Sequence, residues 1–254
     1  MNEHQLLGSN TAKNGFKNEK DIADKFNNWQ NDTEAQSWLE LMQYDLNEIE
    51  FVKAVIISGH KADVQVQITI LLKEAIDVEN LQVKLVSNLK GFNQIDKRWV
   101  DTYKEMWNIP STIEKLLKKY TGETNPTISD PRDKRRMFAD EFTEIEQNSL
   151  VEWLESNKTL IINDILKGRG KFAAEWMLVA QKVTTSARWI LKPMNYCVNF
   201  FGNEPVEITS RGNFKIGKIT MQRKGGDGGR RTAQMLQFKI NPAELFEAIS
   251  NQPL

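Results

Sequence analysis

Residues 63–87, DVQVQITILLKEAIDVENLQVKLVS, contain two apolar runs of strand period joined by a short polar reversal, and the rest of the chain is read outward from them. In the first run Val64, Val66, Ile68 and Ile70 alternate with Gln65, Gln67 and Thr69, the period of a strand with one buried face. In the second, Ile76 and Val78 alternate with Asp77 and Glu79, the phase slips near Asn80, and Leu81, Val83 and Leu85 then alternate with Gln82 and Lys84. Such a slip predicts a β-bulge. With the chain reversing around Lys73-Glu74-Ala75, counting out about ten residues each way sets Asp63 opposite the Lys84 region. Gln82 and Lys84 then share one face.

Together these residues offer a carboxylate, a second oxygen donor and a cation. Metal-dependent hydrolysis of a phosphodiester asks for that combination: oxygen ligands for a divalent ion and positive charge near the attacking water. Taken alone, the spacing is explained more simply by a solvated strand face and a turn aspartate.

Composition narrows the classes. The chain has 254 residues, enough for one large core or two smaller ones, with ordinary apolar and charged fractions. The start, Met1-Asn2-Glu3-His4-Gln5, lacks the pattern of a secretory signal, and no apolar run reaches the roughly eighteen residues of a membrane span. A cytoplasmic, bacterial protein with no membrane partner is expected. Cys197 is the single cysteine and His4 and His60 the two histidines, which argues against disulfides, thiolate zinc and histidine-dependent triads. A metal would therefore sit on oxygen, favouring magnesium, manganese or calcium.

Net charge is zero, but its distribution is uneven. Between Arg211 and Lys239 stand Arg211, Lys215, Lys218, Arg223, Lys224, Arg230, Arg231 and Lys239, with Asp227 as the lone acid. Such an island suits phosphate. Within it, residues 222–231 (QRKGGDGGRR) lack the order of a nucleotide-binding P-loop, yet glycine amides can cradle phosphate and arginines can read guanine from a β-ribbon. A flexible, solubilising hairpin turn fits equally. Residues 91–94 (GFNQ) form a second candidate, in which Phe92 could wedge between base pairs while Asn93 and Gln94 read base edges. A phenylalanine plugging the core under a loop is the commoner use. Residues 134–136 (KRR) and 167–171 (KGRGK) are further basic clusters, each explicable as a solvated loop.

The coarse pattern is mixed α/β. Helices are expected over 10–29, 34–49, 93–120 with an interruption at Pro110, 138–156, 193–201 and 242–249, and a loop over 121–133. Strands are expected around Asp63 and Lys84, over 175–183 and 187–191, and over 215–223 and 234–240 around the glycine-rich turn.

Four segments together resemble the HinP-type restriction endonucleases: 11–23 (TAKNGFKNEKDIA), 82–88 (QVKLVSN), 91–97 (GFNQIDK) and 222–227 (QRKGGD). These are type II enzymes of the PD-(D/E)xK superfamily that cut GCGC, related to Msp-type enzymes. The resemblance covers nearly the whole chain. It implies an α+β fold with a mixed central sheet flanked by helices, one domain over 1–254, with a catalytic core at about 10–120 and 175–254 and an insertion at about 121–170. It implies Asp63, Gln82 and Lys84 as catalytic residues, Asp63, Gln82 and the Val83 carbonyl around Mg2+, with Mn2+ as a substitute, and Glu19 at a position for a second cation. It also implies an intercalating Phe92 with Asn93 and Gln94 beside it, a first helix bearing Lys13 and Lys17 near the minor groove, and a major-groove reader made of Gln222, Arg223, Lys224, Asp227 and Arg230. The expected activity is cleavage of double-stranded DNA, leaving 5′-phosphate and 3′-hydroxyl ends. A homodimer and a companion DNA methyltransferase go with such a system. The remaining readings are a non-catalytic DNA-binding protein and a metal-dependent phosphatase. Two departures stand out. Ala62 precedes the aspartate where the superfamily has Pro and the HinP type Ser, and Gln82 replaces the usual acid, leaving one fewer negative charge for the metal.

Overall fold

The computed structural model describes residues 3–57, 65–73, 75–226 and 229–250. In chain order the main elements are α1 (Glu3–Asn27), α2 (Thr33–Leu41), β1 (Ile49–Ile57), β2 (Gln65–Leu72), β3 (Ile76–Val86), β4 (Asn93–Arg98), α3 (Val100–Trp107), α4 (Ser111–Thr121), α5 (Glu144–Ser156) and α6 (Lys158–Leu166). They continue with β5 (Trp176–Gln181), β6 (Arg188–Pro193), α7 (Met194–Gly202), β7 (Val206–Ile208), β8 (Phe214–Ile216), β9 (Ile219–Arg223), β10 (Leu236–Ile240) and α8 (Glu244–Ser250). By contacts the chain forms two units, Met1–Asn93 with Lys167–Cys197 and Asn241–Leu254, and Gln94–Leu166 with Val198–Ile240.

The first unit holds a mixed sheet of order β1-β2-β3-β5-β6, antiparallel except for the parallel pair β3–β5. Apolar positions of period two in β2 (Val66, Ile68, Ile70) meet the helical stripe Ile22, Ala23 and Phe26 of α1, and Leu81 and Val83 of β3 join the same cluster. Two polar tethers set the run of α1 across the sheet. The Asn27 amide donates to the Ala54 carbonyl and accepts from the Ala54 N–H at 3.1 and 2.8 Å, and Lys182 Nζ, just past β5, reaches Asp21 at 2.8 Å.

The second unit holds a sheet of order β4-β10-β9-β8-β7, whose pairs from β10 to β7 are antiparallel. One face is aromatic. Tyr103 and Trp107 of α3 stack on each other at 4.5 Å and meet the Phe238 ring of β10 edge-on, while Tyr120 of α4 meets Phe214 and donates its hydroxyl to the Met221 carbonyl at 2.9 Å. Gly122, at φ 82, closes α4, and a Cβ there would lie 2.2 Å from the Arg135 carbonyl oxygen.

The expected α+β class and a mixed sheet flanked by helices are what the chain forms, with a second sheet in addition. Several local expectations change. No bulge interrupts the β2–β3 pairing, whose register runs unbroken from Leu71 opposite Ile76 to Gln65 opposite Gln82. The phase slip records a change of surroundings: Ile76, Asp77 and Val78 are exposed, whereas from Leu81 onward β5 flanks the strand and five residues from Asn80 to Lys84 are buried in succession. The helix expected over 93–120 begins as β4, and Pro110 stands just before α4 rather than inside it. The second helix ends at Leu41, beyond which Gln43 takes φ 74 and the chain enters β1, a strand concealed by Glu48 and Glu50 beside Ile49. The strand over 215–223 is two strands, β8 and β9, folded at Gly217, whose φ is 60.

Candidate functional site

Gln82 sits where β3 has a neighbour on both sides, and Val83 and Lys84 continue the strand beside β5. Gln82 lies beside Gln65 of β2 and Met177 of β5, and Lys84 beside Val179 of β5. Because Leu81 and Val83 enter the core cluster under α1, alternation turns Gln82 and Lys84 to the other face of the sheet. Lys84 is 5% exposed and Gln82 fully buried. Neither the Oε1 nor the Nε2 of Gln82 has a hydrogen-bond partner among the described residues. A buried polar atom left unmet costs about 1–3 kcal/mol, so a fold keeps such an amide where something else is to satisfy it.

Asp63 and Asp227 lie outside the described residues. Glu19 is buried on α1, one turn before Ala23 on the side that meets the sheet, two residues from the tethered Asp21. The donor set expected for a cation is all oxygen, and the buried, unmet Oε1 of Gln82 fits a hard divalent ion. No cluster of three or more His, Cys, Asp or Glu side chains able to hold a metal occurs among the described residues. Two amides missed from the sequence share the character of Gln82. Asn18, 2% exposed beside Glu19, has an unmet Oδ1, and Gln181 of β5, on the same face as Lys84 by alternation, has an unmet Oε1. An amide at an otherwise apolar position of a strand or helix was the available signal.

Phe92 is 53% exposed, so it does not plug the core. It follows a tight turn in which the Gly91 N–H donates to the Asn88 carbonyl at 2.9 Å, and a Cβ on Gly91 would come within 3.0 Å of that oxygen. Asn93 and Gln94 open β4 and are half-buried, while Lys13 and Lys17 are exposed on α1.

In the second unit the basic island lines a cleft of about 600 Å³ that takes in Gln222, Arg223 and Arg230 together with Asp133, Arg135 and Arg136. The loop after β9 turns through Gly225 and Gly226, both near φ 64 and 63, a backbone that glycine adopts without strain. Lys224 begins that loop, its N–H bonded to the Met235 carbonyl at 2.8 Å. Asp133 organises the arginines. Arg135 grips it in two bonds of 2.8 and 2.9 Å, and Arg223 Nη1 stands 3.9 Å away while its Nε donates to the Ala233 carbonyl at 3.0 Å. The bond from Arg135 holds the Asp133 carboxyl below its usual range, whereas burial pulls the Arg223 and Arg136 guanidinium groups down. Arg136 lies over the Phe138 ring at 3.8 Å. Among the described residues the cleft therefore presents several arginines against one neutralised acid. In the sequence residues 134–136 show only as a basic cluster, because the Asp133 link from Arg135 to Arg223 spans ninety positions of chain.

The family model of the R.HinP1I restriction endonuclease matches residues 42–246, most of the chain. The chain belongs to this family. As an R.HinP1I-family protein it is a type II restriction endonuclease, a site-specific deoxyribonuclease that binds DNA, and enzymes of this kind generally use a divalent metal. Membership removes the non-catalytic and phosphatase alternatives. The fold has a counterpart in the crystal structure of the restriction endonuclease MspI in complex with its cognate DNA, with a TM-score of 0.64 and 18% identity over 94% of this chain and 93% of that one. No curated protein matches this R.HinP1I-family chain. Among its described residues no helix is long and apolar enough to cross a membrane.

Proposed function

We propose that this endonuclease cuts double-stranded DNA at GCGC with Mg2+, leaving 5′-phosphate and 3′-hydroxyl ends, and that Asp63, Gln82 and the Val83 carbonyl would hold the cation, with Glu19 at a position for a second one, while Lys84 acts at the scissile phosphate. The observation that carries this reading is the buried Gln82 amide with both ends unmet among the described residues, two residues before Lys84 on one strand face. The β2–β3 register supports it too, since its last described pair, Gln65 with Gln82, stops two residues short of Asp63 and Lys84 in sequence.

When bound, the cation supplies Lewis-acid polarisation of the phosphate and a more acidic water. Gln82 contributes an oxygen held by a strand with a neighbour on each side, so its direction is set before substrate arrives. The Lys84 ammonium orients the attacking water and offsets the charge that develops on the phosphate oxygens. Being neutral, Gln82 would hold the ion less strongly than an acid, and the substrate phosphate would supply the missing charge. Gln222, Arg223, Lys224, Asp227 and Arg230 read the major groove, Phe92 wedges into the stack with Asn93 and Gln94 beside it, and Lys13 and Lys17 meet phosphates.

The test is digestion of unmethylated plasmid with and without Mg2+, followed by sequencing of the fragment ends. Discrete fragments that require the metal and share GCGC at their ends are expected. Cutting at another sequence would overturn the site assignment, and cutting in chelator the metal assignment.

A further inference from the structure

Three glutamines stand side by side across the second sheet. Gln94 is on β4, Gln237 on β10 and Gln222 on β9, and these strands are neighbours in that order. Gln237 is the register partner of Gln222, so their side chains leave the same face of the antiparallel pair. That face is opposite to the aromatic one, since the neighbouring Phe238 meets the Tyr103 and Trp107 rings of α3. On the other side Gln237 Nε2 donates to Gln94 Oε1 at 2.6 Å. Gln237 itself is 5% exposed, and its Oε1 has no hydrogen-bond partner among the described residues.

We propose that Gln237 is a positioning residue for base recognition, an amide relay that sets the orientation of Gln94 and Gln222 without touching DNA itself. This rests on the reading of those two glutamines as DNA contacts. The bond to Gln94 turns the Gln94 carbonyl oxygen toward β10, so its amide nitrogen points elsewhere, and a side-chain amide otherwise has two nearly equivalent orientations with donor and acceptor exchanged. A base-reading glutamine that flips reads the opposite pattern. The unmet Oε1 of Gln237 is the complementary half of the relay. Its cross-strand neighbour Gln222 carries an amide donor that is not bonded to it in the free protein, and taking that proton on DNA binding fixes Gln222 with its oxygen turned away, toward a donor on a base. Burial makes the relay firm, because a flip would leave a donor against a donor away from water.

The experiment is to compare Gln237→Met, which keeps length and burial but has no amide, with Gln237→Glu, which keeps the acceptor and loses the donor to Gln94. The full-length protein is used with Mg2+, and kcat/KM is measured on a duplex holding the cleaved site and on duplexes with one base pair changed. Melting temperature is followed alongside. Both variants are expected to fold and to cut, with the ratio of cleaved-site to changed-site kcat/KM falling about tenfold. The fall should be no larger when Gln94→Ala is combined with Gln237→Met than for Gln94→Ala alone. A merely structural role lowers the melting temperature and leaves the ratio intact, and that result overturns the proposal. If Gln94→Ala and Gln222→Ala also leave the ratio unchanged, the DNA-contact reading itself has failed and the relay falls with it. If those two lower the ratio and Gln237→Met does not, the relay alone is wrong.

Discussion

The buried Gln82 amide of the first sheet and the arginines of the second unit's cleft stand in opposite states. In the first sheet, Gln82 is fully enclosed with both amide ends unmet among the described residues, an arrangement that costs stability and waits for a partner. In the second unit the arginines of the cleft are already engaged: Arg135 by Asp133, Arg223 by the Ala233 carbonyl, Arg136 by the Phe138 ring. Chemistry needs a site whose ligand positions are kept open until metal and phosphate arrive. Recognition needs donors whose directions are fixed beforehand, since a wandering arginine reads every base alike.

The sharpest break of this contrast is Lys84→Ala. Loss of the cation should lower single-turnover cleavage by at least about a hundredfold while specific DNA binding, followed by gel shift, stays close to wild type. Equal loss of binding would remove Lys84 from the chemistry.

Gln82→Met makes the trade explicit. Cleavage should fall to a similar extent, yet the metal-free protein should become more stable by about 1–3 kcal/mol in urea denaturation, because an apolar side chain of similar length has nothing left unmet. A destabilised variant would show that the amide is satisfied in the free protein after all.

On the recognition side, Arg223→Ala should weaken discrimination by about 1–3 kcal/mol with little effect on the cutting step once DNA is bound. An unchanged specificity ratio would leave Arg223 as scaffold, a role its bond to the Ala233 carbonyl could fill.

The smallest effect concerns Asp133. Its carboxyl is held below the usual aspartate value of 3.8 by Arg135, so its contribution to stability is complete above about pH 4 and is lost as pH falls through the lowered value. Asp133→Asn should therefore be less stable at neutral pH and lose less on further acidification, read as a shallower acid branch of the melting temperature. A branch as steep as wild type would show that the pair adds nothing.

The strand pair around residues 65–86 was legible because period two and a reversal at Lys73–Ala75 are local properties, and the register closes that turn through a bond from the Leu72 N–H to the Ala75 carbonyl of 2.8 Å. The bulge was misread for an instructive reason. A slip in apolar phase looks the same whether the backbone bulges or the strand passes from an open edge to burial on both faces, and only the neighbour β5, arriving ninety-five residues later at the Leu81–Trp176 pair, separates the two. β1 and β4 were hidden by charge: Glu48 and Glu50 beside Ile49, and Asp96 with Lys97 and Arg98, break the alternation that announces a strand.

What the sequence determined by itself is the chemistry on offer: an acid, an amide and a lysine at strand spacing, and a basic island around glycines, since residue identity and local period need no partner to be read. What only the tertiary structure decided is the state of those groups. Burial and hydrogen bonding depend on strands and loops far apart in the chain, so that Gln82 is left unmet, Asp133 gathers Arg135 and Arg223, and Gln237 is set between Gln94 and Gln222.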